Sequence, residues 1–132
     1  EVNIVESGKN YGWPSVHHEE SRAGMESPLL VYTPAVAPAS GMFYRGSLFP
    51  ELRGNFLFGA LKGISLIRVV LDGRTVVSQE RLFEGQYGRI RDVAEGPDGA
   101  IYFSTSNRDG RGSLARTDDR ILRLVPEIRA AG

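Results

Sequence analysis

Arg89 and Arg91 stand two residues apart in Gly88-Arg89-Ile90-Arg91-Asp92-Val93. In an extended strand side chains alternate, so that spacing sends both guanidinium groups to one face. Two cations about 6 to 7 Å apart on one face call for an anion between them. The planar fork of arginine suits a carboxylate, and the chemistry this implies is recognition of a ligand bearing several carboxylates. A second reading is structural, with a local acid bridging the pair; Asp92 is excluded from that role because it points to the opposite face. Structural ion pairs are commoner than ligand clamps, and spacing alone leaves both readings open. Lys62 adds a third cation, at the end of the apolar run Phe56-Leu57-Phe58-Gly59-Ala60-Leu61 and just before Gly63. It is read either as a solvated turn lysine or as an ammonium turned toward the same ligand.

Other residue groups invite chemistry and are read mainly as structure. His17-His18-Glu19-Glu20 carries metal-ligating types, but adjacent residues converge poorly on one ion, and the tetrad falls in a turn-rich stretch. It reads as a solvated loop. Asp109, Asp118 and Asp119 flank a segment containing Gly110 and Gly112 but lack the spacing and terminal glutamate of a calcium loop. They too are expected in a flexible, solvated loop. Trp13 is held between Gly12 and Pro14. Stacking on a sugar ring is one use for it, and packing between sheets is the reading favoured here. Tyr32 and Tyr87 are candidates for the rim of a site.

The elements that must position these side chains are strands. Apolar or alternating runs bounded by turn formers predict strands near 1–5, 41–46, 55–61, 65–71, 75–83, 89–95, 100–105 and 119–125. Asp72-Gly73 and Pro97-Asp98-Gly99 are their hairpin turns. Helical periodicity is scarce, so the fold class is all-β. At 132 residues and 41% hydrophobic content the chain can bury a core. Sixteen basic and sixteen acidic residues cancel, which removes any electrostatic case for nucleic acid or an anionic membrane surface. No apolar run is long enough for a membrane-spanning helix. The absence of cysteine excludes disulfides and thiolate metal sites. Glu1-Val2-Asn3-Ile4-Val5 enters as if in mid-strand, which reads as part of a longer chain.

A weak repeat underlies the strands. Gly54-Asn55-Phe56-Leu57-Phe58 matches Gly99-Ala100-Ile101-Tyr102-Phe103, and Leu66-Ile67-Arg68-Val69-Val70 matches Ile121-Leu122-Arg123-Leu124-Val125. A unit of about 40 to 50 residues with four short strands is a propeller blade. On this reading 1–40 is loop-rich, 41–83 is one blade and 89–125 supplies three strands of the last blade. Propellers close with about four to eight blades, so the chain is expected to be a partial propeller of about two blades, or else a small sandwich.

Val2-Asn3-Ile4, Asn10-Tyr11-Gly12-Trp13-Pro14, Ala37-Pro38-Ala39-Ser40-Gly41-Met42, Gly59-Ala60-Leu61-Lys62 and Arg89-Ile90-Arg91-Asp92-Val93 with Gly96-Pro97-Asp98-Gly99 occur in order along the chain. Together they resemble the soluble PQQ-dependent glucose/sorbosone (aldose sugar) dehydrogenases. The resemblance covers nearly the whole chain. It implies a six-bladed β-propeller, of which residues 1–132 are a C-terminal part, and two cofactors, pyrroloquinoline quinone (PQQ) and calcium. It implies that Lys62, Arg89 and Arg91 bind the quinone, with Lys62 as electrophilic helper, and that calcium is held mostly by residues outside this chain. The family's catalytic histidine does not correspond to His17 or His18. This chain alone is therefore expected to be inactive, lacking both the base and the N-terminal blades.

The function so implied is oxidation of the anomeric carbon of a sugar to a lactone, with an external electron acceptor, in the periplasm or outside the cell. Two rivals stay open: a non-catalytic propeller of the same ancestry that binds glycan or protein, and a calcium-dependent lactonase-like hydrolase.

Overall fold

The computed structural model describes residues 1–128. Among them, turn formers separate seven strands: β1 (Pro38–Phe43), β2 (Phe56–Ala60), β3 (Ser65–Asp72), β4 (Thr75–Leu82), β5 (Ile90–Glu95), β6 (Ile101–Thr105) and β7 (Ile121–Leu124). A single 3-10 turn, Pro50–Leu52, follows β1. The strands form two antiparallel sheets of order β1-β2-β3-β4 and β5-β6-β7. Up-and-down order follows from short connections, since two antiparallel neighbours need only a tight turn. Four strands lie between 38 and 82 and three between 90 and 124. Gly54 and Gly99, which open the matched segments, both have positive φ, 82° and 84°. They lead into β2 and β6, the second strands of their sheets, and the other matched segments form β3 and β7, the third strands.

Expectation and structure part at the N-terminus. Residues 1–5 form no strand; Val2 makes an isolated antiparallel bridge to Leu30. With a single bridge the segment runs as a covering loop, and it has no continuous partner to pair with. The strand placed at 41–46 lies at Pro38–Phe43 instead; beyond it Tyr44 keeps backbone hydrogen bonds to Asn55 O and from Gly54 N–H, at 3.0 and 2.8 Å, and its hydroxyl donates to the carbonyl of Gly99 at 2.7 Å.

The core has two parts. Between the sheets lie Tyr44, Leu57, Leu66, Ile90, Val93, Ile101 and Phe103. On the opposite face of the first sheet Phe58, Ala60, Ile67 and Val69 pack with Tyr32 and Val36 from the covering segment. Neighbours in sequence, Leu57 with Phe58 and Leu66 with Ile67, go to different clusters, as a period of two requires. Both faces of β2 and β3 are thus covered, which accounts for their largely apolar sequences, with Arg68 the charged exception within β3. Each such side chain contributes about 1.5 to 3 kcal/mol when fully buried. Gly59 has no side chain because β5 approaches there: an added Cβ would lie 2.7 Å from the carbonyl oxygen of Ile90. Glu95 further ties the sheets, accepting from the backbone N–H groups of Arg45 and Gly46 at 2.7 and 2.9 Å.

The β3–β4 hairpin turns through Gly73, whose φ is 57° and around which an added Cβ would meet nothing within 4 Å. Gly73→Ala therefore isolates the conformational cost of the left-handed region. It is expected to destabilise the protein by about 1 kcal/mol, seen in urea denaturation as a lower midpoint with an unchanged slope.

Candidate functional site

Three connections meet at one end of the two sheets: the β2–β3 turn, the β4–β5 connection and the long β6–β7 loop. Together they line a cavity of about 480 Å³. Backbone hydrogen bonds hold them in register, Gly85 N–H to Ile64 O at 3.0 Å and Ser106 N–H to Arg89 O at 2.9 Å. Lys62 from the first connection and Arg89 from the second both line the cavity. Two cations far apart in sequence thus line one cavity.

Arg89 is positioned most firmly. Its residue is 8% exposed. The buried Asn107 side chain accepts from Arg89 N–H at 2.9 Å and donates to Tyr87 O at 2.9 Å, fixing the backbone on both sides of Gly88. The guanidinium donates through Nε to Ser106 O at 3.2 Å and through an Nη to Asp109 Oδ2 at 3.0 Å. The close wall of the β6–β7 loop needs Gly112, where an added Cβ would stand 2.9 Å from Arg89 Cδ. Arg89 is consequently buried at the cavity wall.

Arg91 is placed differently. Ile90 pairs with Thr105 and Asp92 with Ser104, so the register shifts between them and Arg91 sits in a bulge. A bulge re-aims its side chain. Ile90 is buried as expected, whereas Asp92 is exposed. The Arg91 guanidinium also donates to Asp109 Oδ2, at 3.4 Å. Both arginines therefore reach one carboxylate oxygen, and the local acid that spacing alone could not identify is Asp109. Arg91 is half exposed and does not line the cavity.

The three aspartates are not a free loop. Asp109 also accepts from Arg111 N–H at 3.0 Å through Oδ1. That backbone N–H first, then the hydrogen bond and charge of Arg89 and the charge of Arg91, hold its carboxyl below the usual aspartate range. Asp119 is likewise lowered, chiefly by the N–H of Asn107, which donates at 2.6 Å. Asp118 is buried, accepting from Ala115 N–H at 2.7 Å and lying 3.8 Å from Arg120 Nε. All three organise the loop around Arg89, a role the sequence signalled only through their number near Gly110 and Gly112. For Asp109 the folded pKa lies below the unfolded one. Its ion pair with the arginines is thus present at neutral pH and is lost as pH falls through the folded value. A carboxyl-carbon NMR titration should show a midpoint below that of a free aspartate, and Arg89→Met should move it upward.

The remaining candidates separate from this site. Trp13 is 79% exposed and is not core; Gly12 and Pro14 shape a turn that turns the indole outward. Tyr32 is buried against Phe58, and burial raises its phenol above the ordinary range, so it is no rim residue. Tyr87 lines the cavity, its ring beneath the Arg120 guanidinium at 5.3 Å. His17 and His18 lie with Glu19, Glu20 and Thr33 at a separate depression. Among the described residues no group of three or more acidic, histidine or cysteine side chains could hold a metal ion, and no helix is long and apolar enough to cross a membrane.

Chemically, the cavity offers, among the described residues, four cations, Lys62, Arg89, Arg111 and Arg120, against one carboxylate, Asp118. Its size falls within the span usual for small-molecule sites, about 300 to 1,000 Å³. The way Asp109 is gripped shows that Arg89 presents its donors in a geometry a carboxylate can use.

Comparison with known proteins gives the chain its relatives. The family model described as Glucose / Sorbosone dehydrogenase matches residues 1–122. The chain is 32% identical over 123 residues to the Escherichia coli aldose sugar dehydrogenase YliI, covering 83% of this chain and 33% of that protein. Among solved structures it is similar to the PQQ-bound form of aldose sugar dehydrogenase from Streptomyces coelicolor, with a TM-score of 0.80 and 31% identity over 93% of this chain and 35% of that one. It is also similar to a putative oxidoreductase (glucose dehydrogenase) from Thermus thermophilus, with a TM-score of 0.78, 38% identity and coverage of 93% and 36%. The chain spans about a third of the length of these relatives, and its two sheets are part of their propeller fold.

Proposed function

The chain belongs to the glucose/sorbosone dehydrogenase family, and on that premise we propose that it carries the cationic part of a PQQ site in an aldose sugar dehydrogenase. The observation that carries the reading is the convergence of Lys62 and Arg89 on one cavity rich in cations. The reaction is oxidation of a sugar's anomeric carbon to a lactone. The donor set fits a ligand with several carboxylates: Arg89 has donors left beyond those given to Asp109 and Ser106, and Arg91 bears on the ligand through Asp109. When bound, PQQ supplies the two-electron acceptor chemistry. Lys62, in no ion pair among the described residues, places a positive charge where an oxygen gains negative charge, the general use of a preorganised cation. Tyr87 and the β6–β7 loop form part of the cavity wall.

The anomeric hydroxyl must lose its proton to a base. His17 and His18 stand at a different depression, so the base is assigned to residues beyond this chain, and residues 1–132 alone are inactive on this reading. The described residues hold no group of three or more acidic, histidine or cysteine side chains for calcium. An external electron acceptor and a periplasmic or secreted location belong to the same proposal. A lactonase-like hydrolase would need several carboxylates in the cavity, where Asp118 is the one among the described residues.

The test is sugar-dependent dye reduction by the full-length protein supplied with PQQ and calcium. Turnover that falls in Lys62→Ala supports the proposal. A protein that binds PQQ yet reduces no dye with any aldose would instead be a binding propeller.

A further inference from the structure

The cavity holds a cation that no sequence motif marked. Arg111 lines it beside Lys62 and Arg89, whereas Arg91 does not. Arg91 is drawn to Asp109 at 3.4 Å, and the same Asp109 accepts the backbone N–H of Arg111 at 3.0 Å. One carboxylate therefore diverts the second arginine of the Arg-Ile-Arg motif and fixes the backbone from which another arginine projects. Of the four cations lining the cavity, Arg89 is paired with Asp109 and Arg120 with Asp118. Lys62 and Arg111 are in no ion pair among the described residues, so their charge is uncommitted. A guanidinium with free donors at a cavity wall is built to bind a carboxylate or phosphate in two-point fashion.

We propose that Arg111 is a ligand-binding residue of this cavity, contributing the contact to an anionic group of a polycarboxylate ligand that the sequence pattern assigns to Arg91. The inference deepens the proposed function and rests on it for the identity of the ligand, but the contact itself is to the ligand's charge. Gly110, with φ of 87°, and Gly112 flank Arg111 and allow the loop to bring it in. Asp109 acts as a positioning residue for all three arginines.

The experiment compares the full-length protein with Arg111→Gln and Arg91→Gln, using PQQ and citrate as separate probes in equilibrium titrations. Arg111 is exposed and in no ion pair among the described residues, so Arg111→Gln should melt at the parent temperature without ligand. It is expected to weaken both probes about tenfold, the scale of one lost charge-assisted contact at a partly solvated site, and Arg91→Gln by less. Equal affinity of Arg111→Gln and parent, or a larger loss in Arg91→Gln, overturns the assignment. Citrate binding that depends on Arg111 without any binding of PQQ keeps the assignment and refutes the cofactor reading. Binding of neither probe by the parent overturns both.

Discussion

Arg89→Met is expected to weaken PQQ binding by about a hundredfold or more, the scale of two charge-assisted hydrogen bonds lost together. The residue is nearly buried, lines the cavity and has its side chain fixed by Ser106 O and Asp109 before any ligand arrives. Preorganisation of this kind means that little rotamer entropy is lost when a ligand carboxylate binds. Methionine keeps much of the apolar stem while removing every donor. Arg89→Lys is the informative companion: it retains the charge but not the planar fork, so its affinity should fall between parent and methionine variant. The check is an absorbance titration of the quinone against each protein, with circular dichroism to show that the sheets persist. Affinity unchanged in Arg89→Met would remove the clamp from the account.

Gly88→Ala should have the largest effect on stability. Its φ is 78°, and an added Cβ would fall 2.3 Å from Asn107 Oδ1 and 2.8 Å from Nδ2. The substitution combines left-handed backbone strain with displacement of a buried side chain that satisfies both Arg89 N–H and Tyr87 O. Strain of about 1 to 2 kcal/mol and one or two broken buried hydrogen bonds give a loss of about 2 to 4 kcal/mol. For a chain of this size that lowers the melting temperature by roughly 5 to 15 °C. Asn107→Ala removes the same hydrogen bonds without the backbone strain and should fall short of that loss. A Gly88→Ala protein as stable as the parent would show that the β4–β5 connection is not held by Asn107.

The fold was legible in the sequence because its signals are local. Asp72-Gly73 and Pro97-Asp98-Gly99 mark turns chemically, and the apolar runs of β2 and β3 announce strands covered on both faces. The matched segments at Gly54 and Gly99 revealed two sheets of one plan. Residues 1–5 misled because their β-rich composition describes a segment that pairs only through Val2 and Leu30. Trp13 misled because a large aromatic in a fixed turn says nothing about which way the turn faces.

The site was legible only in part. Lys62 and Arg89 could be found because each ends or begins a strand at the same end of its sheet. The bulge at Arg91 could not, since it depends on Ile90 pairing with Thr105 while Asp92 pairs with Ser104, a register that the sequence of β5 does not specify. Asp109 and Arg111 were hidden for a related reason. They lie in a loop with no periodicity, and their place against Arg89 is decided by Gly110, Gly112 and the buried Asn107 acting together.

The most direct test of the central claim is a crystal structure of the full-length protein grown with PQQ. The account predicts the quinone in the cavity between the β2–β3 turn and the β6–β7 loop, with a carboxylate hydrogen-bonded to Arg89 and Lys62 Nζ within reach of a quinone oxygen. PQQ bound elsewhere on the protein, with Lys62 and Arg89 turned to solvent, would contradict it.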